Sequence, residues 1–449
     1  MSQPNILYIH SHDTGRYVQP YGYAVPTPNM QRLAEQGVVF RQCFCCNPTC
    51  SASRASLLTG QYPHQNGMTG LAHRGFSLND YGKHLVNTLK AAGYHTALSG
   101  IQHIAEDART IGYDELLTLT LGVDVAHGRA VEFLGRSHDK PFFLSVGFFE
   151  THREFPEPGP QEDARWCRPA GPLPDCPETR QDMAAFQTSA RVLDEKVGQV
   201  LTALDANGLA DNTLVICTTD HGIAMPHMKC TLRDDGIGVM LMMRGPGGFE
   251  GGRVCDELIS QVDIFPTICD LAGIAAPPWL EGESILPCVR GQGQAVRDTV
   301  FAEVNYHVCY EPQRCIRTKR YKYIRRYEER QRPVLPNCDD SPAKTTWMAH
   351  GWRDANWHAR EQLYDCVLDP NEANNLVGNP DFAEVLAEMR AKLEAWQQQT
   401  DDPILSGSVP APVGARLNDP NDVSAANNLL WVLTEETEAQ TVRERLRLT

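Results

Sequence analysis

The stretch RVLDEKVGQVLTALDANGLADNTLVICTTDHG, Arg191 to Gly222, holds one complete helix–turn–strand unit that ends in charged residues. Apolar side chains recur at helical spacing through Val192, Leu193, Val197, Val200, Leu201 and Leu204, and Asn207-Gly208 stops the helix. Thr213 to Cys217 follows as a strand. It delivers Thr219-Asp220-His221-Gly222 just past its C-terminal end, where open α/β sheets place their active sites.

The same unit recurs upstream. Ile6 to Ile9 reads as a strand running into His12-Asp13-Thr14-Gly15. Thr27 is expected as the N-cap of a helix with Pro28 at its first position, Met30, Leu33 and Ala34 on its buried face, and Gly37 at its end. Leu85 to Ala92 repeats that pattern before Gly93, and Thr96 to Leu98 is the next strand. The run PFFLSVGF, Pro141 to Phe148, suits a strand buried on both faces and leads to Glu150-Thr151-His152. Three strand ends therefore offer acids and imidazoles. The fold class expected is α/β, a large mixed sheet sandwiched by helices.

From about residue 296 the pattern changes. Val300 to Val304, Arg314 to Thr318 and Tyr321 to Arg325 look like short antiparallel strands, and an amphipathic helix runs from about Phe382 to Gln397. Residues 332 to 360, with their three tryptophans, read as a long ordered loop. The expected organisation is a catalytic α/β domain over 1–295, a smaller α+β domain over 296–403 with a small antiparallel sheet and a packed helix, and a tail over 404–449. That tail ends in a charged helical stretch suited to a subunit contact, so a homo-oligomer is expected.

The 449 residues carry 41 Lys+Arg against 56 Asp+Glu, a formal net charge of −15. Such a surface does not attract nucleic acid or an anionic membrane, although a local basic cluster can still hold a small anion. The start MSQPNILYIH lacks a basic segment followed by a long apolar run, and no apolar stretch has membrane-spanning length. The expectation is a cytoplasmic protein whose 15 cysteines are mostly reduced thiols. Cys43, Cys45, Cys46 and Cys50 cluster without the paired spacing of structural zinc sites.

The chemistry concentrates in Cys50-Ser51-Ala52-Ser53-Arg54 and the following ASLLTGQYPH, Ala55 to His64. This segment resembles the signature of the sulfatase family, of the alkaline-phosphatase-like superfamily. Further stretches resemble the family in order: Asn5 to Asp13, Ser99-Gly100-Ile101-Gln102-His103, Phe142 to His152, Thr219 to Gly222, Lys229 to Leu232 with Arg244-Gly245-Pro246-Gly247, and Gln362-Leu363-Tyr364-Asp365 with Asp369-Pro370-Asn371-Glu372. The likeness covers the chain to about residue 400. Asn66-Gly67-Met68 and the layout look most like the heparan N-sulfatase (sulfamidase) branch.

The resemblance implies that Cys50 is oxidised by a formylglycine-generating maturation enzyme, and that the hydrated aldehyde attacks the sulfur of a small sulfated substrate. The sulfate then leaves the enzyme by elimination. It implies Arg54 as stabiliser of the nucleophile or orienter of the modified residue, His103 as base or as partner of the gem-diol, and His152 with Lys229 as sulfate ligands and leaving-group acid. A nucleophile at a helix start is also physically apt, because the free N–H groups and dipole there favour anions. One divalent ion would sit on Asp13, Asp220 and His221, and His12 either joins them or stands behind Asp13. His73, with His64 and Arg74, is a candidate for the substrate pocket.

The sequence also departs from the family pattern. His12 and His221 stand where oxygen or amide ligands are usual, so calcium, the family's ion, competes with manganese or zinc. Ile101 replaces a lysine. An Asp-His pair at the second metal turn also occurs in the related phosphonate monoester and phosphodiester hydrolases, which are the alternative reading. A catalytically silent binding protein is a third, opposed by the intact Cys50, Arg54, His103, His152, Asp220 and Lys229.

Overall fold

Strand β1, Asn5–Ser11, is buried along its whole length at the centre of an eight-stranded sheet. The computed structural model describes residues 3–118, 125–292, 295–355 and 359–427, and the backbone of 431–432. The sheet strands are β1, β2 (Val38–Phe44), β3 (His95–Gly100), β4 (Glu115–Leu116), β5 (Phe142–Gly147), β6 (Thr213–Thr219), β7 (Leu241–Arg244) and β8 (Arg253–Ser260). Their order is β4-β3-β5-β1-β6-β7-β2-β8. β3, β5, β1 and β6 run parallel, while β7 is antiparallel to both its neighbours, so the sheet is mixed as expected.

Alternation along β1 divides the core in two. Ile6 and Tyr8 point into one cluster with Phe143, Leu214 and Ile216; Leu7 and Ile9 point into the other with Leu144, Val215 and Cys217. Side chains of a strand alternate between faces, so both faces must be covered by helices. Helices Cys50–Thr59, Leu85–Ala91 and Ile264–Ala272 cover the first face; Pro28–Gln36, Ala126–Leu134 and Pro177–Ala206 cover the second.

Register brings the site together. Ser11 pairs with Thr219, and His10 and Gly100 both pair with Gly147, so four parallel strands end at one edge of the sheet. Gly147 is obligatory there, because a Cβ on it would lie 2.0 Å from the Ile101 carbonyl oxygen.

Two local expectations are corrected. The Thr27 side chain makes no cap; its Oγ1 accepts from Gln19 N, and the Asp194 carboxylate takes the Asn29 and Met30 N–H groups instead. The helix expected from Val192 begins fifteen residues earlier, at Pro177 (192 − 177). Its first half buries polar Asp182 against the Arg153 guanidinium, at 2.8 and 2.7 Å, which masks the apolar period.

A second sheet, antiparallel and four-stranded, has the order β12-β11-β10-β9. It comprises β9 (Val300–Tyr306), β10 (Tyr310–Arg317), β11 (Tyr321–Arg326) and β12 (Glu361–Asp365). Helix Ala383–Gln399 lays Leu386, Met389, Leu393 and Trp396 against Ile316, Tyr323 and Leu363. The expected loop 332–360 contains helix Pro342–Ala349, while Trp357 lies outside the described residues. Residues 404–427 return across the chain: Asn418 N donates to Val308 O, and Arg74 donates to the Arg416 carbonyl and to Asn418 Oδ1. The charged stretch 433–449 lies outside the described residues. Among the described residues no helix is long and apolar enough to cross a membrane.

Candidate active site

Cys50 is the first residue of a ten-residue helix that is buried throughout. Asn47 Oδ1 accepts from both Thr49 N and Thr49 Oγ1, fixing the turn that enters the helix. Ser53 Oγ donates to the Asp220 carbonyl at 2.6 Å and ties the helix to the end of β6. Sγ of Cys50 therefore lies 3.3 Å from His221 Nε2 and 4.0 Å from Asp13 Oδ1. Burial pushes its thiol well above the ordinary range, so it is neutral as it stands.

Two carboxylates face each other beside it. Asp220 Oδ1 accepts the N–H groups of Asp13 and His221, at 2.8 and 2.9 Å. Asp220 Oδ2 meets Arg54 at 2.9 Å and His12 Nδ1 at 3.2 Å. Asp13 Oδ1 accepts from His12 Nδ1 at 2.8 Å, and its Oδ2 accepts from Lys229 Nζ at 2.8 Å. Burial alone would raise both acids, but Lys229 and the imidazoles hold Asp13, and Arg54 and the imidazoles hold Asp220, well below the usual carboxylate range. Both are charged acceptors at neutral pH.

The imidazoles are fixed by their outer nitrogens. His221 Nδ1 donates to Gly222 O at 2.9 Å, which leaves a lone pair on Nε2 toward Cys50 and Asp13. His152 Nδ1 donates to Arg153 O, and the His12 ring meets its edge at a centroid distance of 4.7 Å. His103 stacks on the exposed His73, Nε2 to Nδ1 2.9 Å, and burial keeps the His103 imidazole neutral at pH 7. Asp13 and His103 both hold φ of +54°. Non-glycine residues seldom adopt that conformation, and strain of this kind concentrates at functional sites.

Arg54 points elsewhere than its sequence position suggests. Its guanidinium bonds His10 Nδ1, the Ser11 carbonyl and Asp220, so it braces the acid rather than position 50. His64 is also drawn away, into a buried pair with Glu303 at 2.7 Å. His73 stays at the site, and Ile101 is buried in the lysine's place. Cys43, Cys45 and Cys46 are buried in the core; of that run, Cys50 alone belongs to a group of close potential metal ligands among the described residues.

Two further residues arrive from the C-terminal domain. Asp339 Oδ2 lies 3.1 Å from Lys229 Nζ, and Lys229 draws its carboxyl down against burial. His307, just past β9, is buried near Lys229 and Asp339 and is kept neutral chiefly by burial. Phe149, 42% exposed, stands 4.8 Å from the His152 ring and 5.9 Å from that of His12, centroid to centroid. No motif marked Asp339 or His307; loops beside the second sheet bring them to the site.

The profile of the sulfatase family matches residues 4–274. The protein belongs to the sulfatase family. A second profile, the C-terminal part of N-sulphoglucosamine sulphohydrolase, matches residues 227–349 of this sulfatase. Human N-sulphoglucosamine sulphohydrolase is 31% identical over 438 residues, covering 85% of this chain and 87% of that one. An ulvan-active sulfatase of Formosa agariphila is 27% identical, over 88% of this chain and 74% of the other. A crystal structure assigned as a sulfatase from Bacteroides thetaiotaomicron superposes with a TM-score of 0.73 at 24% identity, over 92% and 96% of the two chains. The chain is thus a sulfuric ester hydrolase with the alkaline-phosphatase-like sulfatase fold, most like the N-sulfatase branch.

The residues present fit a divalent cation. Asp13 and Asp220 are held ionised, His12 is kept neutral by burial with its imidazole lowered to about 4, and His221 turns a lone pair inward. Two carboxylate oxygens and two imidazole nitrogens make a coherent donor set.

Proposed function

We propose that this sulfatase hydrolyses a small sulfated sugar, an O-sulfate ester or N-sulfate, through formylglycine generated from Cys50 by a maturation enzyme. The carrying observation is the placement of Cys50 at a helix start, 3.3 Å from His221 Nε2 and 4.0 Å from Asp13 Oδ1. The likeness to N-sulphoglucosamine sulphohydrolase supports an N-sulfated amino sugar as the substrate class. When present, the aldehyde hydrate supplies the attacking oxygen, and a divalent ion on Asp13, Asp220, His221 and His12 polarises the sulfate.

The chain's own residues do the rest. Lys229 keeps its ammonium charge, because Asp13 and Asp339 outweigh its burial, and binds a sulfate oxygen. His103, neutral and braced by His73, takes a proton from the group at position 50. His152, with Nδ1 tied to Arg153 O, keeps Nε2 for the leaving group's proton. Arg54 acts through Asp220, fixing its carboxylate.

The test combines peptide mass and turnover. Protein made with a formylglycine-generating enzyme should show the aldehyde on the peptide spanning Cys50, and Cys50→Ala should fold and lose all turnover. A panel of N-sulfoglucosamine, sulfated sugars, aryl sulfate and aryl phosphonate should rank the sulfates first. Full activity with an unmodified thiol, or preference for the phosphonate, defeats the proposal.

A further inference from the structure

As encoded, position 50 is a thiol, and its surroundings differ from those of the other buried cysteines. Sγ and one imidazole nitrogen each of His12 and His103 lie within 4.8 Å of one another, as do the ligand atoms of Cys50, His12, Asp13 and Asp220. One thiolate and two imidazoles are a soft donor set, of the kind that holds zinc with a fourth position left to a carboxylate or water. The imidazoles are already braced. His12 Nδ1 is 2.8 Å from Asp13 Oδ1, and His103 Nε2 is 2.9 Å from His73 Nδ1. Metal-binding histidines are oriented by such bonds from the opposite nitrogen. Nδ1 of His103 is buried with no hydrogen-bond partner among the described residues.

We infer that the thiol form of this chain binds zinc through Cys50, His12 and His103, so the ion it prefers changes when Cys50 matures. On binding, the Sγ–H bond breaks, the proton passes to solvent and a Zn–S bond forms; nothing is oxidised or reduced. Conversion of the cysteine to an aldehyde removes the thiolate and leaves the carboxylates and imidazoles without sulfur, a donor set less selective for zinc. Zinc on the thiol form therefore blocks the pocket and shields Sγ. The inference shares position 50 with the proposed sulfatase chemistry but does not depend on it.

The test uses the full chain made without a maturation enzyme, with the thiol at position 50 verified by peptide mass. Titration with Co²⁺ should give an intense thiolate-to-cobalt charge-transfer band at one equivalent, and Zn²⁺ should bleach it. Zinc should also slow iodoacetamide labelling of Cys50 by about tenfold or more. Cys50→Ser should abolish the band, and His103→Ala should weaken cobalt binding by about 10–100-fold. Absence of the band in the thiol form overturns the inference. So does a band of full intensity in Cys50→Ser, or unchanged affinity in His103→Ala. If Cys50→Ser fails to fold, the labelling rate and His103→Ala decide. The formylglycine proposal is judged by the peptide mass of matured protein, so either can fail alone.

Discussion

Lys229 and Asp339 join the two sheets at the active site: the ammonium lies 3.1 Å from this C-terminal carboxylate and 2.8 Å from Asp13 on the other side. A buried lysine between two carboxylates holds its proton to higher pH than a free one, because burial is outweighed by both partners. Asp339→Asn removes one of them and keeps the shape. The alkaline limb of the pH–rate profile should then move to lower pH, and kcat/KM should fall by about 10–100-fold, the scale of one charge-assisted contact. Steady-state rates across pH check this, and an unmoved alkaline limb excludes the positioning role.

That pair also marks the limit of what the sequence discloses. His12-Asp13, His152 and Asp220-His221 each follow a recognisable strand, so the topology alone gathers them at one sheet edge. Asp339 and His307 lie more than 70 residues past Lys229 (339 − 229 and 307 − 229), in loops beside the second sheet, and no local pattern ties them to it. Arg54 shows a subtler limit: helical spacing places it one turn from Cys50, yet His10, Ser11 and Asp220 claim its guanidinium. Spacing predicts neighbours along an element, while long side chains are claimed by tertiary partners. The same rule applies to the Pro28 helix, capped by Asp194 rather than by adjacent Thr27.

Arg54→Lys should therefore behave as a metal-site variant. A lysine ammonium cannot reproduce contacts to an imidazole, a carbonyl and a carboxylate from one planar group. Asp220 then loses the fixed orientation that the guanidinium gives its strongest charge contact. Divalent-ion affinity should fall by about tenfold or more, as for other groups that orient metal ligands, and turnover should fall with it. Calorimetric titration of metal-stripped protein measures the first. Unchanged affinity with lost turnover would instead place Arg54 on the nucleophile.

His64, expected near the substrate, predicts stability instead. Glu303 accepts from the His64 backbone and ring, both at 2.7 Å, and faces Arg314, which Asp402 grips at 2.6 and 2.7 Å. All four side chains are largely buried where the first domain meets the second sheet. Glu303→Gln removes a negative charge beside a buried guanidinium, a change that costs about 3–5 kcal/mol when no other partner remains. Asp402 still neutralises Arg314, so the loss should lie at the lower end. Urea unfolding should show a lower midpoint, while kcat of the folded fraction stays within about twofold of wild type. A large kcat loss without destabilisation would return His64 to the pocket.

Acid sensitivity follows from histidines buried without charge. His84 and His227 are each lowered by burial to about 3. In the unfolded chain a histidine binds its proton near pH 6.5. Between pH 6.5 and about 4 the unfolded state therefore holds more protons than the folded one, so stability falls as pH falls through this window. Each such histidine contributes a slope of up to about 1.4 kcal/mol per pH unit. The depressed carboxylates Asp13 and Asp339 add their loss only lower, below the ordinary carboxylate range. Urea midpoints at pH 7.5, 6.5 and 5 should decline chiefly in the last interval, and His84→Gln should flatten that decline. A decline that begins only below about pH 4 would assign acid unfolding to the carboxylates alone.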